Sequence, residues 1–112
     1  MSNRFVDRNT TNHQSTTTNI FTMPQSVVAS TLVFANGRRL KIIITNSSSA
    51  NLFILLSQSG ASATVFTVKM ATNTFYEVPV EYAGAISGLW DGAGAGTAVM
   101  TEIIRDIGPV AG

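Results

Sequence analysis

The chain reads as all-β: a single β-sandwich or jelly-roll-like domain with an extended N-terminal arm. Three observations predict this. From residue 25 to residue 112, runs rich in Val, Ile, Thr and Phe recur at regular spacing, with Gly or Asn clusters between them. No stretch of about ten residues or more keeps its apolar side chains at a helical period. Ahead of these runs, Asn9 to Asn19 reads NTTNHQSTTTN, without one apolar side chain.

Residues 1–24 are the arm and residues 25–112 the sandwich domain. A tract as polar as 9–19 buries too little surface to offset the ~1–2 kcal/mol per residue that ordering a backbone costs. Small apolar anchors flank it, Phe5 and Val6 before and Ile20 and Phe21 after, and Pro24 closes the segment. Fully extended, the arm reaches on the order of 80 Å at ~3.3 Å per residue. Two readings stand for it: a frayed terminus, or an arm that orders against a partner.

Seven strand-like runs follow. SVVASTLVFA (26–35) ends at Asn36-Gly37, a dipeptide that favours hairpin turns. In RLKIIITN (39–46), Leu40, Ile42 and Ile44 share one face, and Lys41 and Thr45 the other. NLFILLS (51–57) points Leu52, Ile54 and Leu56 one way, and a turn around Gly60 follows. ATVFTVKM (63–70) and TFYEVPV (74–80) are joined by Ala-Thr-Asn, and Pro79 marks the second as an edge strand or a strand end. AISGLW (85–90) and TAVMTEII (97–104) complete the set. The Ile42 to Ile44 and Leu52 to Leu56 runs are apolar on both faces, so a sandwich leaves one apolar face for a neighbouring subunit to close.

Composition agrees with assembly. The 112 residues are 45% hydrophobic and only 12% charged, with a net charge of +1, against roughly 25% charged in an average domain. A surface of Ser, Thr, Asn and Gly is easily desolvated and suits packing against copies or a partner. Near-neutrality gives no electrostatic footprint for nucleic acid. With no cysteine, disulfides and thiolate metal sites are excluded. The apolar runs fall short of the ~20 residues of a membrane helix. Arg4 and Arg8 precede a polar tract in place of a secretory apolar core, so synthesis and retention in a cytoplasm are expected.

No constellation carries catalysis, and neither cofactor nor metal is expected. Gly92, Gly94 and Gly96 alternate, but a phosphate loop requires a helix start and a lysine. Here a strand-like run follows, and no lysine occurs after Lys69. His13 is the only histidine and lies in the polar tract. Glu77 and Glu81, roughly 13 Å apart if extended, exceed the spacing of paired hydrolytic carboxylates. The Asn9-Thr10-Thr11 and Asn46-Ser47-Ser48 glycosylation patterns carry no weight without secretion. Trp90, near Tyr76 and Tyr82, reads either as a core tryptophan bonded to a loop carbonyl or as a ligand platform. The chain is not expected to be an enzyme.

From Arg39 to Glu102 the order LKIIITNSSSANLFILL, then TFYEVPVEYAGAISGLWDGAGAGTAVMTE, resembles small virion proteins of tailed bacteriophages. Ile44, Asn46, Leu52 and Ile54 occupy the strand pair of that pattern, and Tyr76, Glu77 and Pro79 the aromatic-Glu-hydrophobic-Pro segment. Tyr82, Gly84, Ile86, Gly88 and Trp90 fill the next strand, and Val99 or Thr101 with Glu102 the last. The resemblance implies a small β-sandwich on a capsid or tail, often in threefold assemblies. Its cement or decoration type implies a virion protein assembled in the host cytoplasm, a homotrimer that binds the major capsid protein. Arg4, Phe5, Val6, Arg8, Ile20 and Phe21 are then the arm's partner contacts. The alternatives are a glycan- or receptor-binding module of a tail fibre, using Trp90, Tyr76 and Tyr82, and a head–tail connector.

Overall fold

The structure, a computed structural model, describes residues 15–106. Each of the seven expected runs contains a strand, and an eighth precedes them. The strands are β1 (Thr16–Pro24), β2 (Ser30–Val33), β3 (Arg39–Ser47), β4 (Leu52–Leu55), β5 (Val68–Met70), β6 (Phe75–Glu77), β7 (Ile86–Trp90) and β8 (Thr97–Arg105). They form two four-stranded sheets, ordered β1-β8-β3-β6 and β2-β7-β4-β5, and every pairing is antiparallel. First pairs with last, second with seventh, third with sixth and fourth with fifth, the pairs alternating between the sheets. A long hairpin rolled in this way is a jelly roll.

The core lies between the sheets and follows strand alternation. In the first sheet, Phe21, Met100, Ile44 and Tyr76 lie in cross-strand register and form one inward row. The second sheet answers with Leu52, Ile54, Ile86, Met70 and Trp90, all buried. β6 is an edge strand, as Pro79 predicts.

Three local expectations are corrected. Residues 16–24 are a sheet strand, paired with β8 along their whole length from Thr16↔Arg105 to Pro24↔Thr97. A strand whose ladder is met by a neighbour needs only alternate apolar side chains, and Phe21 and Met23 supply them. The sheet therefore begins before the expected boundary at residue 24, and residues 1–14 lie outside the described part.

Asn36-Gly37 is not a hairpin, since β2 and β3 belong to different sheets. Arg39 N–H donates to the Asn36 carbonyl (3.0 Å), and Arg38 N–H to the Asn36 side-chain oxygen (2.9 Å). That is a turn with Asn at its first position, carrying the chain from sheet to sheet. Leu40 does not join Ile42 and Ile44 in the core. A bulge between Arg39 and Lys41 turns Leu40 outward and sets Arg39 inward in its place.

Candidate interaction surface

The polar groups that invite a chemical reading are mostly consumed in holding the sandwich shut. At one end, the glycine loop wraps the buried side chain of Gln25. Gln25 Nε2 donates to the Gly92 carbonyl (2.8 Å), and Gly96 N–H donates to Gln25 Oε1 (3.2 Å). The main chains close the ring, Gln25 N–H donating to the Gly96 carbonyl at 2.8 Å. A β-carbon on Gly96 would lie 2.5 Å from Ser48 Cα, and one on Gly94 2.9 Å from Gln25 Nε2. The glycines permit a close approach, and the group they cradle is the chain's own amide, not a phosphate.

Beside it, Trp90 is fully buried, and its indole N–H donates to Asn46 Oδ1 (3.2 Å). The acceptor is a side-chain amide, not the loop carbonyl expected. Asn46 Nδ2 in turn serves the carbonyls of Ala50, Met70 and Ala71. Trp90 therefore offers no ring to a glycan. Tyr82 is tied by its hydroxyl to the Ala85 carbonyl (2.5 Å), and Tyr76 packs on the core. The aromatic platform does not form.

The opposite end holds a buried ion pair. Arg39 Nε donates to Glu102 Oε2 at 2.9 Å, with the two side chains only 1% and 9% exposed. The rest of the guanidinium serves the carbonyls of Phe34, Gly84 and Tyr82 at 2.7, 3.0 and 3.3 Å. Reading by sequence missed this pair. Its signal was parity: Glu102 follows Ala98 and Met100 on the inward face.

Two exposed carboxyls act as local clasps. Asn51 donates both its main-chain N–H and its side-chain amide to Asp91, each at 2.9 Å, and the side-chain bond foremost holds the Asp91 carboxyl below its usual value. The Thr17 hydroxyl does the same for Asp106. Glu77 pairs with Lys41 at 2.6 Å on the surface, and Glu81 lies in the turn after Pro79, so the two carboxylates make no pair.

The two outward faces differ. On the second sheet, Phe53 points outward yet is buried, because the chain folds over it. The Phe66 ring lies 5.0 Å from the Phe53 ring, and Lys69 Nζ 5.7 Å from it. Ser87 donates to the Ser59 carbonyl at 2.6 Å from the same covering segment. On the first sheet, no described residue plays that part. Cross-strand register places Thr22, Val99, Thr45 and Phe75 in one outward row and Ile20, Thr101, Ile43 and Glu77 in the next. Thr18, Ile103 and Lys41 begin a third. Ile20 and Phe75 are 68% and 70% exposed. This is the spare apolar face that Ile42 to Ile44 announced, and its charges sit at its borders, the Lys41–Glu77 pair on one side and Arg105 beside Thr16 on the other.

Of the expected partner contacts, Ile20 lies on this face. Phe21 does not, because the next residue along a strand turns to the other side, and it packs half-buried on the core. Arg4, Phe5, Val6 and Arg8, like His13, lie outside the described residues.

Fold and surface together define an antiparallel jelly roll with one sheet face covered by its own chain and the other covered by no described residue. No family model matches the sequence, and no curated protein matches it. A solved chain from Bacillus endospore appendages, described as disulfide-linked pili, is similar at a TM-score of 0.46 and 15% identity, over 81% of this chain and 87% of its own.

Proposed function

We propose that this chain is a structural component of a tailed-bacteriophage virion, of the capsid cement type, and that it grips the major capsid protein through the bare face of the first sheet. The carrying observation is the asymmetry between the sheets. The chain devotes a segment to covering Phe53, while among the described residues nothing covers Ile20 and Phe75, which are exposed, or Ile43, Val99 and Ile103, which lie half-buried on the same face. An apolar, β-branched face of that kind fits a partner that supplies the missing layer. Low charge supports the same reading, since Thr and Ser lose less on desolvation than Lys or Glu. The virion context comes from the sequence resemblance, and the face supplies the means of attachment.

Heads depleted of the protein, incubated with the full chain and sedimented, test the proposal. The unaltered chain should co-sediment at a fixed ratio to the capsid protein. Ile43→Lys, on the exposed face, should lose binding at least tenfold while keeping the β-sheet circular dichroism. Failure of the unaltered chain to bind heads, or full binding by the lysine variant, refutes it.

A further inference from the structure

Each sheet has two edges, and three of the four carry protection against further pairing. β6 has three residues, with Pro79 soon after it, and β5 has three and carries Lys69. β2 has four and is broken by a bulge between Thr31 and Val33. β1 is different: nine residues, TTTNIFTMP, without a charge or a bulge, its one proline at the last position. Among the described residues nothing pairs with its outer side.

The hydrogen bonds fix which groups that outer edge offers. Gln25 N–H donates to the Gly96 carbonyl, and Asp106 N–H to the Ser15 carbonyl. Odd-numbered residues of β1 therefore bond to β8, and alternation turns the N–H and C=O of Thr16, Thr18, Ile20 and Thr22 away from it. Pro24 lacks an N–H but still offers its carbonyl.

We propose that two copies of this chain pair antiparallel through β1, about a two-fold axis at Ile20, and join their first sheets into one continuous sheet. Ile20 meets Ile20 of the second copy, Thr18 meets Thr22, and Thr16 meets Pro24. In this register every outward group of β1 except the Thr16 carbonyl finds a partner, roughly eight bonds in all. The proline stands opposite Thr16, where one bond from the Thr16 N–H suffices. A two-fold axis brings like residues together, so a charged edge would repel itself. An edge of threonines around a single isoleucine does not. The contact is isologous and closes at two copies, in place of the threefold assembly the resemblance implies. It also makes the two bare faces continuous, and it stands whether or not the partner is a capsid.

Sedimentation equilibrium of the full chain reads the outcome directly, and the mass should be twice the 11.9 kDa of one chain. Thr18→Pro removes an outward N–H and leaves the β8 ladder whole, and should weaken association at least tenfold with the β-sheet circular dichroism retained. Ile20→Lys, which alters no backbone group, should do the same by repulsion at the axis. With no native cysteine, single cysteines at 16, 18, 20 and 22 can carry spin labels. Their separation should be least at 20 and grow toward a backbone offset of about 26 Å at 16. A chain that stays monomeric, a dimer indifferent to both substitutions, or a shortest separation elsewhere overturns the proposal. A monomer that still binds heads would do so while leaving the virion reading standing.

Discussion

Removing Glu102 should be among the most damaging single changes to this fold. Its partner Arg39 is a cation with a 1% exposed side chain, held by one carboxylate and three main-chain carbonyls. Glu102→Ala deletes the only opposing charge among the described residues and leaves the guanidinium buried, at a cost of about 3–5 kcal/mol. For a domain of this size each kcal/mol moves the melting temperature by ~4–8 °C, so a fall of about 12–40 °C is expected. Glu102→Gln keeps an acceptor for Arg39 Nε and should lose about half as much. The informative variant is the double change Arg39→Met with Glu102→Leu. Replacing a buried ion pair by hydrophobes is often neutral or stabilising. Here it strands the carbonyls of Phe34, Gly84 and Tyr82, which the guanidinium was satisfying. The Phe34 carbonyl, beside an exposed ring, can turn to water, so the other two set a loss of about 2 kcal/mol or more. Urea unfolding followed by circular dichroism measures all three. A double variant as stable as the parent, or a Glu102→Ala loss under about 1 kcal/mol, would refute the idea that this pair organises the end of the sandwich.

Gly96→Ala should destabilise by about 1–3 kcal/mol, because its new β-carbon would sit 2.5 Å from the Ser48 backbone and force the Gln25 ring open. Gly37→Ala, with nothing within 4 Å, is the control, and equal thermal shifts in the two would contradict the close-approach reading. The Asp91 clasp makes a signed pH prediction. Its carboxyl is held below the ordinary 3.8 by the Asn51 side chain, so its contribution is complete above that value and disappears as pH falls through the lower folded value. The melting-temperature gap between the parent and Asp91→Ala should therefore be constant from neutrality to about pH 5 and narrow in stronger acid. A gap that widens on acidification has the wrong sign.

The strands were legible because their cause is local. Val99, Thr101 and Ile103 alternate with Ala98, Met100 and Glu102 whatever the rest of the chain does, and Pro79 marks an edge through its own missing donor. β1 was hidden because its stability is borrowed. Thr16 to Asn19 bury almost nothing, and only β8, some eighty residues later, turns them into a strand. The same holds for Arg39. A basic residue beside Leu40 reads as the solvated one of the two, and only a bulge created by register against β8 reverses them. Asn36-Gly37 misled for a related reason, since a turn dipeptide carries no information about which sheet receives the next strand. The bare face lay between these cases: Ile42-Ile43-Ile44 announced a second apolar surface, while its neighbours Ile20, Val99 and Phe75 needed the pairing.

Where the charges sit sharpens the case for assembly. A chain with only 12% charged residues has few to spend on its surface, yet Arg39 and Glu102 are placed inside. Lys69 lies over Phe53, and Lys41 and Glu77 neutralise each other. What remains outward on the first sheet and along β1 is mainly threonine, isoleucine, valine and phenylalanine, with Arg105 at the Thr16 end. Proteins that must stay apart guard such strands with lysine, proline or a bulge, and β2, β5 and β6 show that this fold has those devices at hand. On the longest edge the one such device is Pro24 at its end, and beside that edge lies the sheet face that no described residue covers, so the proposed pairing and the proposed capsid contact fall on adjoining parts of one surface.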